Sequence, residues 1–79
     1  MIIHNLKIDD NHLENLISKI KKFEIRFNDR SYQAGDILRF EKYGTCYSFN
    51  VTHIHSGLGL EEGFIVMSVE PIERLKGNE

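Results

Sequence analysis

Strict alternation is the clearest hydrophobic pattern in this chain. From Lys22 to Asn28 the residues switch sides at every step: Phe23, Ile25 and Phe27 fall on one face, Lys22, Glu24, Arg26 and Asn28 on the other. A period of two predicts a half-buried strand, with the apolar side taken as core. Further strands are predicted over Ile2 to Lys7, Ile37 to Tyr43, Cys46 to Ile54 and Phe64 to Val69, with Tyr47, Phe49 and Val51 sharing one side of the fourth. The connections are a polar turn from Asp29 through Ala34-Gly35-Asp36, a short Gly44-Thr45 link, and a glycine-punctuated loop from His55 to Gly63.

One segment breaks the alternation. Leu13, Leu16, Ile17 and Ile20 recur at i, i+3, i+4 and i+7 and predict an amphipathic helix directly after the first strand. Asn11 with Glu14 three residues on has the form of a capping box. Lys19, Lys21 and Lys22 are read as the positive end that complements the helix dipole.

Five short strands leave exposed edges unless the sheet curls on itself. The expected fold is therefore α+β and mainly β: a small, five-stranded, partly closed barrel with one helix after the first strand. Residues 1–70 form this domain, and 71–79 read as a polar tail that opens with one helical turn.

Composition narrows the picture. In 79 residues, roughly 60% of the unfolded surface can be buried, so stability is expected to be modest. The net charge of −2 excludes a polybasic binder that works by counterion release alone. Charge is unevenly spread, however. Lys19 to Arg30 holds five basic and two acidic residues, a local +3, whereas the chain beyond Gly44 sums to −3. Such a field can orient an anionic partner. The lone Cys46 excludes an internal disulfide or a multi-thiolate zinc site. No signal-peptide pattern or membrane-length apolar run is present, so a cytoplasmic protein with no membrane partner is expected.

The run Lys21-Lys22-Phe23-Glu24-Ile25-Arg26, then Asn28-Asp29-Arg30, then Gly35-Asp36-Ile37-Leu38, closely resembles the signature of the ASCH family. His4-Asn5-Leu6-Lys7, Ser56-Gly57-Leu58-Gly59-Leu60 and Gly63-Phe64-Ile65-Val66-Met67 agree as well. The likeness covers roughly residues 3 to 69 and is nearest to a compact bacterial and phage branch carried as a domain of unknown function. It implies a PUA-like barrel with a helix against one opening and a cleft between them, in a superfamily associated with RNA binding. Some ASCH members resemble enzymes that remove acyl groups from modified cytidine. Their lysine matches Lys21, and Glu24 stands where they carry threonine. Lys19 and Lys22 stand where the family usually has glycine and threonine.

Candidate site residues follow. Glu24 and Arg26, two apart on a strand, share a face. In a cleft the carboxylate accepts from a base's amino group and the guanidinium grips phosphate or carbonyl in a fork; facing solvent they are an ion pair of little consequence. Lys21 is either a solubilising helix-end residue or an anion clamp and base. Lys7 adds a second positive charge to the same mouth. His4 stacks or hydrogen-bonds in the cleft as part of the opening motif. Asn28, Asp29 and Arg30 form a turn, with Arg30 also a candidate phosphate contact. Tyr32, Tyr43 and Tyr47 are either stacking platforms or barrel wall. His53 and His55 share a strand face with His4 within reach, but no carboxylate or thiol has matching spacing, so neither metal nor other cofactor is expected.

Three functions remain open on these residues. The first is a binding module for RNA, a nucleoside or a nucleotide, using His4, Lys7, Lys21, Glu24, Arg26 and Arg30. The second is a small amide hydrolase on acylated cytidine, with Lys21 as base and Glu24 activating water. The third is a protein-interaction module, whose mark would be an exposed apolar patch. The sequence leaves the oligomeric state open between a monomer and a weak dimer.

Overall fold

Strand pairing sets the shape of the molecule. The computed structural model describes residues 1–72, in which five strands and a helix follow one another as β1 (Ile3–Leu6), α1 (Asp10–Ile17), β2 (Phe23–Phe27), β3 (Ile37–Lys42), β4 (Thr45–Ser56) and β5 (Phe64–Pro71). They form one mainly antiparallel sheet in the order β1-β3-β4-β5-β2, with β1 parallel to β3. The two strands flanking the helix in sequence thus lie at opposite edges. The sheet curls into a half-barrel, the expected architecture.

The long β4 makes much of the curl possible. Val51 pairs with Val69 and His53 with Ser68, so Thr52 is the extra residue of a bulge. Its hydroxyl donates to the Ser68 carbonyl at 3.2 Å. Bulges bend a strand and raise its local twist. Leu38, Phe40, Phe49, Val51, Ile65 and Met67 fill the concave side, each no more than 3% exposed. Leu13 and Leu16 of α1 are buried with them and complete the core.

The helix differs from its sequence expectation at both ends. Asp9, not Asn11, is the N-cap; its carboxylate accepts from the Asn11 and His12 amides. Glu14 is drawn instead to Lys42 on β3, 2.8 Å away, so no capping box forms. At the other end the helix stops at Ile17, and Lys19 takes a left-handed φ of 67°. That conformation costs a side-chain-bearing residue roughly 1 kcal/mol and is where glycine is usual. Lys19, Lys21 and Lys22 therefore lie past the last turn, and Ile20 is exposed rather than on a buried face.

The largest correction concerns β2. Its apolar residues are not core: Phe23, Ile25 and Phe27 are 43%, 50% and 54% exposed, whereas Glu24 is only 5% exposed. Alternation defines two faces but does not say which one points inward. On this edge strand the concave face carries Glu24 and Arg26, and the convex face carries the aromatics. The latter find partial cover on β5, where Ile25 pairs with Val66 and Phe27 meets Phe64 edge-on at 5.5 Å.

Smaller differences are local. β5 continues through Pro71 and the Ile72 amide donates to the Ser48 carbonyl at 2.9 Å, so the expected tail starts along the sheet and not as a helical turn; residues 73–79 lie outside the described residues. β4 runs on to Ser56, past the predicted end at Ile54. Tyr43 sits in the β3–β4 turn with φ 50° rather than in β3.

Candidate ligand cleft

Past the helix, the Lys21 amide donates to the Asn15 carbonyl at 3.0 Å, which folds the connection back against α1 before β2 begins. Two residues into β2, Glu24 turns inward. Its Oε1 accepts from Lys21 Nζ at 3.2 Å and its Oε2 from Arg26 Nε at 2.9 Å. Burying a carboxylate is tolerable only with such partners. The Arg26 guanidinium lies 5.8 Å from the centre of the Phe40 ring, and its Nη2 donates to the Lys7 carbonyl at 2.6 Å. Two cations against one carboxylate leave the cluster with one positive charge in excess.

Beside this cluster is a hollow of about 520 Å³ between α1 and β2, lined by His12, Asn15, Ile20, Lys21, Phe23 and Glu24. Lys21 Nζ is 3.3 Å from His12 Nδ1. The helix–barrel cleft thus holds one buried carboxylate, a lysine, an imidazole and an amide, with apolar side chains at its rim. Such a mixture suits a planar, polar-edged ligand. His12 and Asn15 were not singled out from the sequence. The signal was there: with Leu13 and Leu16 buried, His12 and Asn15 border the same stripe one position earlier.

The other sequence candidates are dispersed. Lys7 contributes its carbonyl to Arg26, while its side chain borders a different hollow, of about 570 Å³, with Arg39 and Cys46. His4 is buried, and its partners are Asp36 and Tyr32, not Glu24. Its Nε2 donates to Asp36 Oδ2 at 2.8 Å, and its ring lies 4.6 Å from that of Tyr32. Asp36 also accepts from the Ile2 and Gln33 amides. Burial works against the charge of Asp36, yet these hydrogen bonds hold its carboxyl below the ordinary value.

Tyr32 belongs to the core; burial pushes its hydroxyl above the usual range, against the charges of Arg26 and Arg30 nearby. Asn28 Oδ1 accepts from the Tyr32 amide at 3.0 Å, which gives the 28–32 turn a side-chain anchor. Tyr47 packs against the core and Tyr43 is 90% exposed. His53 and His55 are exposed, and His55 contacts the Leu58 carbonyl. Among the described residues no group of three His, Cys, Asp or Glu side chains is placed to hold a metal ion. Nor is any described helix long and apolar enough to cross a membrane.

A family described as "Domain of unknown function (DUF3850)" matches residues 3–69, nearly the whole described chain. The chain belongs to the DUF3850 family. The chain is also similar in structure to a hypothetical protein, PH0355, known from a crystal structure. The TM-score is 0.69 and the identity 19%, over 91% of this chain and 100% of that one. At that identity the likeness speaks for the fold, so this DUF3850 member shares its half-barrel with a distant protein. No curated protein matches it.

Proposed function

We propose that this DUF3850 member is a binding module of the ASCH, PUA-like kind, and that the hollow between α1 and β2 receives a nucleotide or an RNA base. The reading rests on one observation above the others: Glu24 is buried at the wall of that hollow and held there by both Lys21 and Arg26. A chain this small retains a desolvated ion cluster at some cost. A nucleobase edge, with amino donors for the carboxylate and carbonyl acceptors for the ammonium, matches the groups on offer. His12 and Asn15 supply the opposite wall.

The test is an NMR titration of labelled protein with nucleosides and short RNAs. Shifts gathered at His12, Lys21, Glu24 and Arg26, reduced about tenfold in affinity in Glu24→Gln, are expected. A variant that folds and binds as tightly as the parent would remove the basis of the proposal. The Lys21–Glu24 contact also suits the alternative of an amide hydrolase on acylated cytidine. Release of cytidine in the same tubes, lost in Lys21→Ala, would turn the reading to that activity.

A further inference from the structure

The convex face of β2 presents a run of large apolar side chains to solvent. Phe23, Ile25 and Phe27 stand in a row there, each about half exposed. Phe64 and Val66 of β5 pair with Phe27 and Ile25 and so continue the same face. Ile20, 79% exposed, lies with Phe23 and Ile25 at the rim of the cleft. Apolar residues exposed singly are ordinary, but a contiguous patch marks a contact surface.

Both aromatic ends of the row are fixed in place. The Phe27 ring lies against Gly63, where the missing Cβ leaves room for it, and meets Phe64 edge-on. Lys21 Nζ is 5.4 Å from the centre of the Phe23 ring. Rings already held lose little conformational entropy when a partner covers them.

The order of the side chains points to the partner. Phe-Ile-Phe reads the same in both directions along this face. A second copy turned about a two-fold axis at Ile25 sets Ile25 against the partner's Ile25 and Phe23 against the partner's Phe27. Such self-matching is what an isologous contact requires. The same rotation keeps the exposed Glu61 and Glu62, next to Phe64, at opposite ends of the pair. Stacking the copies in the same direction would set these carboxylates against each other.

The area sets the strength. Taking roughly 200 Å² for a whole phenylalanine or isoleucine residue, Ile20, Phe23, Ile25 and Phe27 offer about 400 Å² per copy. Some 800 Å² of apolar surface in the pair, roughly, is the low end for a specific interface and gives a weak dimer. We infer that two copies stack convex face to convex face, antiparallel, about a two-fold axis at Ile25. This inference goes beyond the cleft reading and does not depend on it.

The experiment follows labelled protein by NMR and sedimentation equilibrium from micromolar to millimolar concentration. Concentration-dependent shifts should gather at the amides of 23–27 and 64–66, and the mass should rise toward that of two chains. Ile25→Lys and Ile25→Glu each set a charge against its own copy and should weaken association about tenfold or more. Mixing the two variants should restore the dimer, because a residue on the axis meets only its counterpart. Ile25 is 50% exposed, so both variants should keep the parent's fold, which their amide spectra check.

A parent that stays monomeric at millimolar concentration overturns the inference and leaves the row to a partner of another kind. A dimer indifferent to both substitutions overturns it by placing the contact elsewhere. Two monomeric variants that stay apart when mixed overturn the axis at Ile25. Should a variant fail to fold, the parent's own shifts decide: at 23–27 they support the contact, and elsewhere they sink it.

Discussion

Arg26 reaches from β2 to the carbonyl of Lys7, just past the end of β1, and closes a 2.6 Å hydrogen bond between the two edges of the sheet. β1 and β2 are not paired neighbours, so this side chain bridges a seam that no backbone ladder closes. The same guanidinium neutralises the buried Glu24. Arg26→Ala is accordingly expected to lower stability by about 2–3 kcal/mol, chiefly by leaving a buried carboxylate short of a partner. Urea denaturation checks this, and the double substitution with Glu24→Gln should recover part of the loss. An Arg26→Ala protein as stable as the parent would mean that the seam needs no tether.

Acid should act through Asp36. Its carboxyl lies below the unfolded value of 3.8 in the folded chain, where three hydrogen bonds outweigh the opposing effect of burial. A depressed folded value contributes stability that is fully present above the unfolded one. That stability disappears as the pH falls through the lower, folded value. The urea midpoint should therefore fall as the pH drops below the unfolded value. In Asp36→Asn this part of the acid dependence should flatten. Parallel curves for the two proteins would assign the acid sensitivity to other carboxylates.

Among the described glycines, Gly63 is the least tolerant of a methyl group. A Cβ there would run into Cε1 of the Phe27 ring, and φ is already +88°. Gly63→Ala should cost about 2–3 kcal/mol, part of it steric and part of it backbone strain. Adding Phe27→Leu should recover the steric part and leave about 1 kcal/mol. Full recovery in the double variant would assign the whole effect to the ring. Thermal denaturation of the three proteins distinguishes the two contributions.

The architecture was largely legible in the sequence, because strand and helix periods are local properties. The five predicted strand runs and the Leu13–Leu16 spacing correspond to elements that form. The proximity of Glu24 and Arg26 was legible for the same reason, since i and i+2 share a face of any strand. Orientation was not. Nothing local distinguishes a strand whose aromatics face inward from one whose carboxylate does; that depends on where β2 pairs, and β2 pairs with β5, some forty residues away in sequence. Nor could spacing reveal that His4 would find Asp36, or that Glu14 would leave the helix cap for Lys42, because both partners arrive through the sheet. His12 and Asn15 escaped notice because their role depends on the connection folding back onto α1.

The bond between Arg26 and Lys7 has a consequence for how the cleft responds when filled. The guanidinium shares its donors between Glu24 and the Lys7 carbonyl. On the proposed binding reading, a guest that drew Nη2 away would compete directly with that carbonyl and would loosen the edge at β1. Occupancy and the openness of the half-barrel would then be linked through a single nitrogen atom. Amide exchange around Lys7 would quicken on binding, even as the residues lining the cleft became better protected.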